Sequence, residues 1–205
     1  MNNGAVENYP AFAAVGIWLW YVFVDAVSIP FKVGNSFRRV MAKVNFPRET
    51  LIIASIAEVV FNLLVRFAVL LVVLVLLGVP VTFSALLVMP GVAAMIMLGT
   101  SIGMILSPIA LLHHDIERGL PIAISTLLLI TPIGYPISSS GRWDWVTDNN
   151  PIAVIVTATR ELFFYGETSD WPKILLISVI LLVVIAISWL WYRLSVPYVN
   201  ERLGS

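Results

Sequence analysis

Cysteine is absent from this 205-residue chain. That excludes disulfides, thiolate nucleophiles and cysteine-based metal sites, and leaves the redox compartment open. Charge is also scarce. Asp, Glu, Lys and Arg make up 12% of the residues and cancel to a formal net charge of zero, so no global field draws the chain toward nucleic acid. No GxxxxGKS or GxxxxGKT stretch is present to cradle a phosphate, and no GxSxG, HExxH or paired-cysteine pattern to carry hydrolytic or metal chemistry. If ATP drives any process here, the ATPase is another polypeptide. The opening MNNGAVENYP is polar and lacks Lys and Arg, so it is not the n-region of a signal peptide.

What the chain has in excess is apolar surface. Hydrophobic residues fill 60% of positions and the mean hydropathy is +0.96, where a soluble domain is about half apolar and a quarter charged. No single core can hide that excess, so lipid is the expected solvent. A membrane span needs about 20 apolar residues. Five stretches qualify, at 11–29, 51–77, 81–112, 120–137 and 174–191. The third is broken by Pro90, Gly91 and Pro108, and the fourth carries Pro121 and Pro132. Backbone groups in lipid must be satisfied internally, so the stretches read as helices. The expectation is an all-α, polytopic transmembrane bundle forming one domain over 1–205.

The connections differ in character. Residues 30–49 are basic and amphipathic, 78–80 form a tight turn, 113–119 are short and polar, and 138–173 carry Trp143, Trp145 and Trp171 among polar residues. Five spans place the cations Lys32, Arg38, Arg39, Lys43, Arg48, Arg118, Arg193 and Arg202 on one side, against Arg142, Arg160 and Lys173 on the other. The positive-inside rule puts the richer side in the cytoplasm. The C-terminus is then inside and the N-terminus of this chain outside.

Ionisable groups within a span cost a few kcal/mol each on insertion scales, roughly. The second span holds Glu58, Asn62 and Arg66 at steps of four, on one helix face with Ser55. Glu58 and Arg66 are two turns apart, with Asn62 placed to bridge them. The stripe reads either as part of a translocation path for a hydroxyl-rich or charged substrate, or as a polar clamp between helices. Asp25, near the inner end of the first span, reads as an interfacial carboxylate reaching headgroups or Lys32, ahead of an ion-coupling role. In 31–46, Phe37, Val40, Met41 and Val44 recur at helical spacing among Arg38, Arg39 and Lys43. This predicts an interfacial helix that anchors to headgroups or docks a cytoplasmic partner. Gly99, Thr100, Ser101 and Gly103 permit close helix approach. His113 and His114 are adjacent and diverge on a helix, which argues against a metal site there. Asn149 or Asn150 can cap a short helix starting at Pro151, with Arg160 and Glu161 late in it. At about fifteen residues it is too short to span and reads as re-entrant or interfacial on the outer face.

In order along the chain, several segments resemble the membrane subunits of ABC-2 type polysaccharide exporters (the O-antigen, capsule and teichoic acid permeases). ENYPAFAAVGIWLWYVF is similar to the family's YP-x-F, then G, then W-x-F at its second span. KVNFPRE, from Lys43, is similar to its K then FPRE. His114-Asp115-Ile116 stands where the family usually has Arg-Asp-Ile. Thr131 to Pro136, TPIGYP, is similar to TPI-x-YP, and Asn150-Pro151 followed by Arg160 to its outer NP then R.

The resemblance implies six spans with both ends cytoplasmic, a permease homodimer, two separate ATPase subunits that hold ATP and Mg, and a lipid-linked glycan as substrate. It implies no cofactor in this chain and no enzymatic role for it. The ATPase-coupling helix would be 31–46, with Phe37, Arg38, Arg39, Lys43, Phe46, Pro47 and Arg48. The outer gate segment would hold Pro151, Arg160 and Glu161. The family's first span has no counterpart here, which an incomplete chain or a late start codon would explain. His114 in place of Arg weakens any ion pair expected beside Asp115. The alternatives are an ABC-2 exporter of a drug or small lipid, against which Phe46-Pro47-Arg48 argues, and an ion-coupled secondary carrier. The carrier predicts internal repeats and paired buried carboxylates, and neither is seen. A membrane enzyme on lipid-linked sugars would need a carboxylate or His cluster, which only His113 to Glu117 approach.

Overall fold

A computed structural model describes residues 8–41, 48–79, 88–131, 133, 149–168 and 171–204. Among the described residues the chain is helical throughout, without strands. The helices are α1 (Tyr9–Met41), α2 (Arg48–Leu76), α3 (Met89–Leu112), α4 (His114–Ile130), α5 (Pro151–Tyr165) and α6 (Trp171–Gly204). Four contain stretches long and apolar enough to cross a membrane: Tyr9–Val33, Ala57–Leu76, Met89–Leu112 and Trp171–Ser195. The expected fourth span begins within α4, which has 17 residues to Ile130. Most of its expected continuation to 137 lies outside the described residues, as do 81–87 of the third span and the tryptophans Trp143 and Trp145.

α1 and α3 form the centre. Half of the α1 span is buried inside the chain, against 11% of the α2 span and 17% of the α6 span. The outer two helices therefore turn most of their apolar surface outward, including Val69, Val72 and Val75 on α2 and Leu175, Leu182 and Ile187 on α6. Lipid tails are as apolar as leucine, so spans associate through close packing more than through apolar burial. Close packing is what α3 supplies. A Cβ on Gly99 would stand 2.6 Å from the Phe23 carbonyl oxygen of α1, and one on Gly103 would strike Val27 and Pro30. Ser107, one turn on, donates to the Pro30 carbonyl at 3.0 Å. The small residues expected to let helices approach thus seat α1.

Helix ends follow local chemistry. At the end of α2, Gly78 adopts φ 70°, its N–H bonds Val75 at 3.0 Å, and the Val79 N–H bonds Leu74 at 3.0 Å. This paired closure needs a left-handed residue, hence glycine. The 113–119 segment, expected as a polar connection, is mostly helix. Only His113 is extended, and α4 starts at His114 with Asp115 and Glu117 in its first turn. Carboxylates at a helix N-terminus complement its dipole, so this polar run stabilises a helix start.

The basic segment also differs from expectation. α1 continues as one helix to Met41, through Pro30. At 33 residues it is about 50 Å long, against a hydrocarbon core of roughly 30 Å. The positions of Phe37, Arg38 and Arg39 therefore extend past the span as a continuation of α1, where a separate helix was expected. Lys43, Phe46 and Pro47 lie outside the described residues, and Arg48 opens α2.

Candidate functional site

Two polar assemblies touch opposite faces of α1. The first lies against α2. Lys32 donates to Glu58 at 2.5 Å, and Arg66 Nη1 donates to Asp25 at 2.6 Å. The two rungs are seven residues apart on α1 and eight apart on α2. That is two turns on each, so the rungs sit about 10–12 Å apart along the interface. Charge order makes this work: each helix carries an acid followed by a base, and antiparallel packing sets each acid against a base. Arg66 Nη1 also reaches the Tyr21 carbonyl at 3.3 Å, and its guanidinium lies 4.7 Å from the centre of the Tyr21 ring. One turn further along, Trp18 packs against Phe67 at 5.3 Å.

Of the stripe Glu58, Asn62 and Arg66, both charged members reach across to α1 and need no link to each other through Asn62. Asp25 meets Arg66, a partner its position near the inner end of the span did not indicate. The signal was legible: opposite charges at matched two-turn spacing on consecutive spans. The Lys32–Glu58 rung is the more open, its side chains 41% and 52% exposed against 37% and 19% for Arg66 and Asp25.

The second assembly is built on α5. Asn150 caps it, its side-chain oxygen accepting from the Ile152 N–H at 3.0 Å, with Pro151 following at the first helical position. Gly166 closes it in the left-handed conformation at φ 74°. Its 15 residues reach about 22 Å, less than a bilayer core. Ile152 to Val156, Ala158 to Arg160, Leu162 and Phe163 are buried. A helix buried nearly all round is a core element, and this favours a re-entrant placement over an interfacial one.

Arg160 is only 3% exposed. Its guanidinium donates to the Ile133 carbonyl and lies 3.9 Å from the centre of the Phe12 ring. It occupies the space where a side chain on Gly16 would begin: a Cβ there would collide with the guanidinium and come within 2.6 Å of the Ile133 carbonyl oxygen. Asn150 ties the same junction from the other end of α5, donating to Thr131 Oγ1 at 3.0 Å. Adjacent Glu161 turns away from the core and accepts from Thr168 at 2.5 Å. Segments far apart in sequence therefore converge. Phe12 and Gly16 come from the first quoted motif, Thr131 and Ile133 from the TPI segment, and Asn150 and Arg160 from the NP helix.

The convergence has a counterpart in known proteins. The profile of the ABC-2 type transporter family matches residues 2–164, which take in both assemblies. The chain belongs to that family. Two curated relatives, each an O-antigen export system permease protein RfbA from Klebsiella pneumoniae, are each 24% identical over 188 residues, covering 89% of this chain and 72% of the relative. Membership makes this ABC-2 chain a multi-pass membrane component of a transporter and implies a partner ATPase component. Within that frame α1 acts as a spine. It holds the α5 junction at Phe12 and Gly16, the ion-pair rungs at Asp25 and Lys32, and the basic extension up to Met41. From Gly16 to Met41 it spans about 38 Å.

Among the described residues, no group of three or more His, Asp or Glu is placed to hold a metal ion. Asp115 and Glu117 are exposed at the start of α4.

Proposed function

We propose that this chain is the permease subunit of an ATP-driven exporter that moves a lipid-linked polysaccharide across the cytoplasmic membrane, with no enzymatic activity of its own. The observation that carries the reading is the 188-residue likeness to two O-antigen export permeases, which covers 89% of this chain. The working unit is a pair of permeases with ATPase subunits docked at the basic end of α1. That end faces the cytoplasm. With Arg160 buried in α5, only Arg142 and Lys173 remain as cations of the outer connections, so the charge asymmetry across the membrane is larger than the sequence count suggested. α5 then lies toward the outer face, and its Arg160 junction holds the exit segment to α1.

The test is complementation. A strain lacking its own glycan-export permease, supplied with this chain and its cognate ATPase, regains surface glycan. Intracellular retention of the glycan despite normal membrane insertion would overturn the reading. Docking is tested separately. Exchanging Arg38, Arg39 and Lys43 for Glu should abolish co-purification of the ATPase while insertion persists. Undiminished co-purification would place the docking surface elsewhere.

A further inference from the structure

Pro30 lies between the two ion-pair rungs, after Asp25 and before Lys32. α1 runs through it as one helix, yet two local features soften this turn. Proline has no N–H, so the helical bond to the Ala26 carbonyl cannot form. Ser28 Oγ turns back to donate to the Val24 carbonyl at 2.8 Å, a bond that bends helices. α3 grips the same turn from its own side. Ser107, 1% exposed, donates to the Pro30 carbonyl at 3.0 Å. Gly103 makes room for the proline ring, whose Cδ is 2.9 Å from where a Cβ would stand. A pliable backbone held at a fixed point is what a pivot requires.

The restraints on its two sides are unequal. On the span side Gly99 packs against the backbone of Phe23 and Val27. There the Asp25–Arg66 pair is the more enclosed, and the Tyr21 carbonyl and ring reinforce it. On the basic side stands Lys32–Glu58, with both side chains roughly half exposed. An ion pair that open is weak. Beyond it the helix continues to Met41.

We propose that Pro30 is a hinge in α1 and that the Lys32–Glu58 pair is the latch across it. With the pair closed, the basic extension stands in line with the span, as observed. With the pair open, the extension swings about Pro30 while α3 and the Asp25–Arg66 pair keep the span in place. The lever from Pro30 to Met41 is eleven residues, about 16 Å, so a bend of about 25° carries its tip roughly 7 Å. The latch sits close to the pivot, so a small displacement of the Lys32 ammonium corresponds to a large one at the tip. What loads the lever rests on the reading that an ATPase docks at the basic end of α1.

The experiment measures spin-label distances by double electron–electron resonance on the full chain in phosphatidylcholine nanodiscs. The chain lacks cysteine, so Met41→Cys combined with Leu64→Cys on α2, or with Ile122→Cys on α4, carries nitroxides at chosen positions only. Leu64 and Ile122 are both exposed. With the latch intact, each pair should give one narrow distance distribution. Glu58→Gln keeps the side-chain size and removes the charge. It should add a second population, displaced by roughly 5–8 Å in at least one pair. Exchanging the two charges, Lys32→Glu with Glu58→Lys, should restore the single population. Pro30→Ala in the Glu58→Gln background should suppress the second population. A reference pair on the span, Ile17→Cys with Ile122→Cys, should not respond to Glu58→Gln. An unchanged distribution in Glu58→Gln, a second population that persists with Pro30→Ala, or a shift of the Ile17 pair would each overturn the hinge. ATPase co-purification judges the docking reading independently. A second population without co-purification would overturn only the docking, and co-purification with an unresponsive extension only the hinge.

Discussion

Arg66 and Asp25 meet at 2.6 Å, within the apolar spans of α2 and α1. Two charges there are tolerable because each supplies the other's counter-ion, and because the Tyr21 carbonyl and ring share the cation.

Removing one member strands the other. Asp25→Asn and Arg66→Leu should each destabilise the folded protein in detergent by roughly 1–3 kcal/mol, with a double-mutant coupling of similar order. The open Lys32–Glu58 rung should show a coupling of only about 0.2–1 kcal/mol. Thermal denaturation of the two cycles measures the contrast, and equal couplings would mean that solvent screening does not set the difference.

Gly16 should tolerate no side chain while Arg160 is present. Gly16→Ala places a methyl in the guanidinium's position, and should cost about 1–3 kcal/mol by overpacking. The penalty should shrink in an Arg160→Leu background, because the two sites share one space. An unchanged penalty there would break the proposed dependence.

Gly103 and Gly119 offer a matched pair. A Cβ at Gly103 runs into Val27 and Pro30 of α1, whereas one at Gly119 in α4 meets nothing within 4 Å. Gly103→Ala should destabilise by about 1–3 kcal/mol. Gly119→Ala should stabilise by about 0.5–1 kcal/mol through helix propensity. Melting temperatures shifted in the same direction would contradict the packing described.

Asn150 serves two partners with its two amide ends. Asn150→Ala should lower stability by about 1 kcal/mol for the lost cap, and further for the lost bond to Thr131. Asn150→Asp keeps the capping oxygen and removes the N–H donor, so it should fall between the two. Limited proteolysis near α5 and thermal melting would both report the order.

Much of this protein follows from sequence alone. Apolar runs longer than a bilayer crossing require lipid, and lipid forces backbone bonds inside helices, so an all-α bundle follows without any tertiary information. Asn150 with Pro151, and the Gly78 turn, mark helix ends because capping and left-handed closure are local chemistry. Pairings were a different matter. Sequence placed Glu58 and Arg66 on one face but left their partners open, because partner choice depends on the axial register of α1 against α2. Asp25 read as an interfacial group for the same reason. Nothing local marks Gly16 as the seat of the Arg160 guanidinium, since the two positions lie 144 residues apart and meet only once α5 is buried against α1. Sequence determined the solvent, the helices and their ends. Tertiary structure decided which charge meets which, because each close contact needs a register and an approach distance that no single helix contains.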